Sequence, residues 1–214
     1  MNPPPPDGFR IGPGQTLVCL GDSITQNPDG YCSQIAALIA GTYGDRGIRV
    51  VNAGVSGNKV PDMLRRLDRD VLAHRPHWVT VNVGINDVWH GLAEWGEGGT
   101  SLADYRAGLE TLVDRLAAAG AQVVLLPPTV IEEDPGSEGN RRLAPYRAVV
   151  RAVGAARELL VAPTDHDFDA ALTAAGPGRA GGRVLTTDGV HMRPAGDAIM
   201  AVAVLKTLGF FGGC

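Results

Sequence analysis

The apolar positions of this chain alternate between short continuous runs and stripes at helical spacing. Thr16-Leu17-Val18-Cys19-Leu20 is too short for a helix and reads as a buried strand. Residues 26–30, with Pro28 and Gly30, form a loop. Residues 31–43 carry Ile35, Leu38 and Ile39 on one helical face. Residues 48–52 predict a second strand. Residues 60–72 predict a helix with Met63, Leu64, Leu67, Val71 and Leu72 inward and its Arg and Asp residues on a solvated face. A third strand spans 77–83. The next helix, 102–119, opens at Ser101 as N-cap and stops at Gly120. Residues 122–126 give a fourth strand, ended by Pro127-Pro128, and 129–140 an exposed loop with an acidic run. A helix over 141–159 has Pro145 limiting its first turn. A short fifth strand at 160–162, a short helix at 168–174, a Gly-rich loop at 176–182 and a last helix at 194–208 complete the chain. About five strand–helix alternations predict an α/β domain with a mainly parallel five-stranded sheet covered by helices on both faces.

The 214 residues are enough for one sizeable core. Residues 1–14 read as a Pro-rich arm ahead of a single domain at 15–214. The net charge of −4 is mild and both signs are scattered, so no basic stripe for nucleic acid is present. Cys19, Cys32 and Cys214 are odd in number and show no metal or disulfide spacing. Cys19 and Cys32 read as small core residues. His74, His77, His90 and His166 pair with no acid at zinc-ligand spacing, so neither metal nor cofactor is expected. The arm lacks the apolar segment of a secretory signal, and no run approaches the ~20 residues that span a bilayer. A cytoplasmic protein with no stable membrane association is expected.

Four polar loops follow strand ends or precede a helix: Asp22-Ser23, 54–58, 84–87 and 188–191. In a parallel sheet, loops after successive strands emerge on one edge, so distant residues converge there. Acyl transfer needs a nucleophile, a base, an acid that orients the base, and donors for an oxyanion. Ser23 fits the first role and His191 the second. Asp188, three residues before His191, can hold one imidazole nitrogen while the other faces Ser23. The Gly54 N–H, the Asn86 side-chain amide and the Ser23 N–H are candidates for the oxyanion hole. Each feature also has an ordinary reading: a cap at Asp22 and Ser23, turns at Gly54 and Asp188-Gly189, a helix cap at Asn86-Asp87. Four such coincidences in the required order are far less common than one. Trp89 and Trp95 read as packing residues, with stacking on a sugar or aromatic leaving group as the alternative. Asp165 either supports the site from the helix side or ends a strand.

Gly21-Asp22-Ser23-Ile24-Thr25, Asn52-Ala53-Gly54-Val55-Ser56-Gly57-Asn58, Val83-Gly84-Ile85-Asn86-Asp87-Val88-Trp89 and Asp188-Gly189-Val190-His191 resemble, in order, the sequence blocks of the SGNH hydrolases, or GDSL-like esterases. The resemblance runs from about Thr16 to Leu208. It implies a three-layer, flavodoxin-like fold and metal-free ester hydrolysis through an acyl-enzyme, with Ser23, Asp188 and His191 as triad and Ser23, Gly54 and Asn86 as oxyanion donors. Arg46-Gly47-Ile48-Arg49-Val50-Val51-Asn52, residues 70–78 and residues 84–89 are similar to the bacterial acetylxylan-esterase branch, which removes acetyl groups from sugars. Residues 26–30 depart from that branch, where a Gly or Gly-Arg follows the first block, and this bears on the leaving group. A small acyl ester, acetyl first, on a carbohydrate or small metabolite is the expected substrate. A lysophospholipase or thioesterase, an acyltransferase with the same triad, and a non-catalytic carbohydrate-binding module are the alternatives. The resemblance leaves a homo-oligomer open, with no interface readable in the sequence.

Overall fold

A computed structural model describes residues 8–92, 98–176 and 182–212. Five parallel strands form one sheet in the order β2-β1-β3-β4-β5. They are β1 (Thr16–Gly21), β2 (Arg49–Gly54), β3 (Trp78–Asn82), β4 (Gln122–Leu126) and β5 (Leu160–Val161). Among the described residues, eight α-helices connect and follow them: α1 (Ser23–Gln26), α2 (Tyr31–Tyr43), α3 (Val60–Asp70), α4 (Ile85–Trp89), α5 (Leu102–Ala118), α6 (Glu138–Ala156), α7 (Thr164–Ala175) and α8 (Pro194–Thr207). This is the flavodoxin-like strand order, whose switch point lies between β1 and β3.

The central strand shows why the run at 16–20 is uniformly apolar. Side chains alternate across a strand, and both faces of β1 are covered. Leu17 and Cys19 join one core cluster with Ile35 and Ile39 of α2 and Met200 and Val204 of α8. Val18 and Leu20 join the other with Met63 and Leu67 of α3 and Leu109 and Leu112 of α5. The three layers follow directly from that alternation. Among the described residues, no helix is long and apolar enough to cross a membrane.

The fold departs from the sequence pattern in five places, one of them the start of α7 at Thr164 in place of the predicted 168. Strand β2 runs on to Gly54, which the sequence placed in a loop. The loop segments 23–26 and 85–89 each contain a short helical turn, α1 and α4. Helix α6 begins at Glu138, capped by Ser137 Oγ on the Asn140 N–H (3.1 Å), so Pro145 sits inside it and not in its first turn. Pro145 removes one helical hydrogen bond. The burial of Leu143, Val149, Val150 and Val153 against the two core clusters outweighs that loss. Finally, two residues of the arm belong to the core. Phe9 and Ile11 are fully buried, and the Phe9 ring stacks on Tyr43 (4.8 Å between centroids) and meets Phe210 edge-on (5.3 Å). The Arg10 N–H donates to the Leu208 carbonyl at 2.9 Å. The packed domain therefore begins before residue 15. Truncating Phe9 to Ala is expected to cost about 3–5 kcal/mol of unfolding free energy. Urea denaturation of Phe9→Ala checks this, since a loose arm would lose almost nothing.

Candidate active site

The nucleophile turn is built from the carboxyl end of β1. Asp22 caps α1, its Oδ1 accepting the Ile24 N–H at 3.0 Å. Ser23 is the first residue of that turn and is half-buried. Two contacts fix α1 beneath it. Thr25 Oγ1 lies 2.9 Å from the Tyr31 hydroxyl, and Asn52 Nδ2 donates to the Thr25 carbonyl at 2.6 Å. Asp197 of α8 accepts the Tyr31 N–H at 2.9 Å and so caps α2 from a distant element.

His191 and Asp188 arrive on the segment before α8. Asp188 Oδ2 lies 2.6 Å from His191 Nδ1, and His191 Nε2 lies 2.9 Å from Ser23 Oγ. Asp188 Oδ1 accepts the Val190 and His191 N–H groups at 2.9 and 2.8 Å. Partial burial would push the Asp188 carboxyl up, but the bonds from the His191 ring and from these two N–H groups outweigh it and hold it below its ordinary range. The Trp89 ring meets the His191 ring edge-on at 5.8 Å between centroids. Trp89 is thus a packing neighbour of the histidine; Trp95 lies outside the described residues.

What holds this segment was not legible in the sequence. Glu133 Oε2 accepts the Val184 N–H, and Glu133 Oε1 accepts the Leu185 and Thr186 N–H groups, each at 2.7 Å; Oε1 also accepts the Thr186 hydroxyl at 2.8 Å. These bonds outweigh the cost of burial and keep the Glu133 carboxyl below its usual range. Glu132 pairs with Arg183 at 2.6 Å and donates its N–H to the Gly189 carbonyl at 2.9 Å. The acidic run at 129–140 is therefore not a free exposed loop. Thr129, Val130 and Ile131 are buried, and Glu132 and Glu133 clamp the His191 segment. Asp165 serves a different purpose: it is buried in the first turn of α7 and paired with Arg151 at 2.5 Å.

The loop after β2 changes one expectation. Val55 donates its N–H to the Gly21 carbonyl, so the Gly54 N–H points the other way, to the open edge of the sheet, where it donates to Asn52 Oδ1 at 2.9 Å. Gly54 is accordingly not a free oxyanion donor. Its lack of a side chain has another cause: a Cβ there would stand 2.2 Å from the Gln26 nitrogen. One N–H along the loop is free. Ser56 donates to Gln26 Oε1, Asn58 to the Val55 carbonyl, Lys59 to Asp62 Oδ2 and Val60 to Asp87 Oδ1. Among the described residues only the Gly57 N–H of this stretch lacks a partner. Its φ of +75° is one that glycine adopts without strain. Asn86 Nδ2 donates one hydrogen to the Asn58 carbonyl at 3.1 Å, beside Gly57, and no described partner takes the other. The signal that could have found Gly57 is the Ser-Gly-Asn turn itself, since β2 continues through Gly54 and only the glycine beyond its end is free.

Two buried carboxyls flank these groups. Burial pushes the Asp22 carboxyl up to about 7 against the Ile24 hydrogen bond, with the Asp87 charge adding to the rise. Burial likewise pushes Asp87 up to about 6, against bonds from the Thr100 side chain and the Val60 N–H.

The sequence matches the GDSL-like Lipase/Acylhydrolase family model over residues 19–199. The chain is 33% identical, over 94% of its length and 97% of the relative, to an acetylxylan esterase of Geobacillus stearothermophilus. It is 30% identical to the esterase TesA of Pseudomonas aeruginosa over 70% of both chains. The crystal structure of Axe2, an acetylxylan esterase from Geobacillus stearothermophilus, matches with a TM-score of 0.82 at 33% identity, covering 94% of this chain and 96% of that one. That enzyme has also been crystallised as catalytic mutants in which a serine, an aspartate or a histidine is replaced by alanine, the aspartate three positions before the histidine. LAE5, an alpha/beta hydrolase enzyme from the metagenome of Lake Arreo, matches with a TM-score of 0.85 at 28% identity, covering 94% of this chain and 98% of that one.

The buried Asp22 makes a prediction about stability. A carboxyl whose folded pKa lies above its unfolded value favours the folded state in acid. That contribution is lost as pH rises from about 4 through about 7. Asp22→Asn keeps the capping acceptor and removes the charge. It should therefore gain roughly 1–3 kcal/mol over the wild type at about pH 8, and almost nothing at about pH 4. Thermal unfolding of both proteins across that range checks the sign.

Proposed function

Because the chain belongs to the GDSL-like lipase/acylhydrolase family and is a serine ester hydrolase, we propose that it removes small acyl groups, acetyl foremost, from a carbohydrate. The observation that carries the mechanism is the continuous line of contacts Asp188 Oδ2–His191 Nδ1 and His191 Nε2–Ser23 Oγ at 2.6 and 2.9 Å. Asp188 accepts from Nδ1–H and so leaves Nε2 as the proton acceptor facing the hydroxyl. In the proposed reaction Ser23 Oγ attacks the ester carbonyl carbon while His191 takes its proton. Asp188 stabilises the imidazolium that forms. The oxyanion is assigned to the Ser23 and Gly57 N–H groups and the free Asn86 amide hydrogen. Collapse expels the alcohol, which leaves with the proton from His191. Water, deprotonated by His191, then attacks the acyl carbon, and Ser23 Oγ leaves with that proton from His191 as the acid is released.

Two points support the substrate class. The acetylxylan esterase relative spans almost the whole chain. The His191 and Asp188 side chains are also 38% and 48% exposed, so the triad stands at the surface, where a bulky polyol can bring an ester to Ser23. A carbohydrate leaving group needs that open approach more than a deep acyl pocket.

Hydrolysis of p-nitrophenyl acetate is expected to exceed that of the octanoate and palmitate esters and to vanish in Ser23→Ala. Asn86→Ala should fold normally and lose about 10²–10³ in kcat. A preference for the long chains would favour the lysophospholipase or thioesterase alternative. Turnover unaffected by Ser23→Ala would overturn the mechanism.

A further inference from the structure

Beneath the loop that presents Gly57 lies a buried cation. Arg66, on α3, is 7% exposed. Its Nη2 donates to the Gly21 carbonyl at 2.8 Å, and Gly21 is the last residue before Asp22-Ser23. Its Nε donates to Asn58 Oδ1 at 2.6 Å. Nη1 reaches Asp70 Oδ2 at 3.4 Å, so its own helix supplies a partial counter-charge. Asn58 is a junction: its side chain is held by Arg66 while its carbonyl takes a hydrogen from Asn86 Nδ2 at 3.1 Å. One planar guanidinium therefore ties the end of β1 to the loop after β2, and through Asn58 to α4. Those are the elements that carry Ser23, Gly57 and Asn86.

We infer that Arg66 is a positioning residue for the oxyanion hole, fixing the Gly57 N–H and the Asn86 amide relative to Ser23 and adding a positive charge behind the developing anion. This rests on the ester-hydrolase reading of the same site. Two features distinguish the role from ordinary loop packing. A guanidinium spans two acceptors in fixed directions, which an ammonium on a flexible stem cannot. A preorganised donor set acts on the charge formed in the transition state and leaves ground-state binding almost unchanged.

The test compares wild type, Arg66→Met and Arg66→Lys on p-nitrophenyl acetate, with Ser23→Ala as control. Intact sites are counted by titration with a fluorophosphonate. Per intact site, kcat of Arg66→Met should fall about 10- to 100-fold with KM changed less than about 3-fold. Affinity for a boronic acid that forms a tetrahedral adduct should fall by a similar factor. Arg66→Lys should recover only a small part. A kcat per titrated site within about 2-fold of wild type in Arg66→Met, or full rescue by lysine, overturns the inference. If Arg66→Met does not fold, Asn58→Ala replaces it. That change cuts the Nε contact but keeps the Asn58 carbonyl for Asn86, and it should lower kcat per site without raising KM; an unchanged kcat overturns the inference equally. Activity that persists in Ser23→Ala would instead remove the ester-hydrolase reading on which the assignment rests.

Discussion

The contact between Ser23 Oγ and His191 Nε2 joins residues 168 positions apart, and much of the structure serves to hold it. A hydroxyl and an imidazole exchange a proton only at hydrogen-bond distance and in the right tautomer. Neither end is rigid by itself. Ser23 stands on a four-residue helix that could not persist alone. His191 stands on an irregular segment. The parallel sheet supplies one fixed point, because β1 is paired on both sides and buried on both faces. Glu133 supplies another, its four short bonds holding the stretch that precedes Asp188.

The machinery surrounding that contact is unusually charged for a buried region. Asp22, Asp87 and Arg66 are all nearly inaccessible. Burying unpaired charge is costly, and here the cost is met unequally. Arg66 finds three acceptors. Asp22 and Asp87 each leave one carboxyl oxygen without a partner among the described residues, and their raised proton affinities express that deficit. Stability is given up where the hole is assembled, as is common at functional sites. The core clusters on both sides of the sheet supply the compensating burial.

Much of this was readable from the chain because it depends on local pattern. Continuous apolar runs marked β1 and β4, and the Ser101 cap marked the start of α5. The meeting of Ser23, Asp188 and His191 was legible because their residue types are rare in combination and sit in loops that a parallel sheet gathers on one edge. Gly54 was misread for a physical reason. Whether β2 ends at Asn52 or at Gly54 decides which way each N–H points, and that register is set by pairing with β1, which no local signal reports. The glutamate clamp was missed similarly: an acidic run looks solvated until the N–H groups of residues more than fifty positions away close over it. Phe9 and Ile11 were hidden by the prolines before them. The burial of Phe9 depends on Tyr43 of α2 and on Phe210 near the other end of the chain.

The most direct test of the account is a crystal structure of the enzyme after reaction with a small fluorophosphonate. The expected adduct has phosphorus bonded to Ser23 Oγ, with one phosphoryl oxygen about 3 Å from the Gly57 nitrogen, the Asn86 amide and the Ser23 nitrogen. In that adduct the Gly54 N–H still faces Asn52. A phosphoryl group on another residue would contradict the nucleophile. An adduct on Ser23 whose oxygen instead meets a Gly54 N–H released from Asn52 would contradict the donor set, and with it the reading of how this fold stabilises charge.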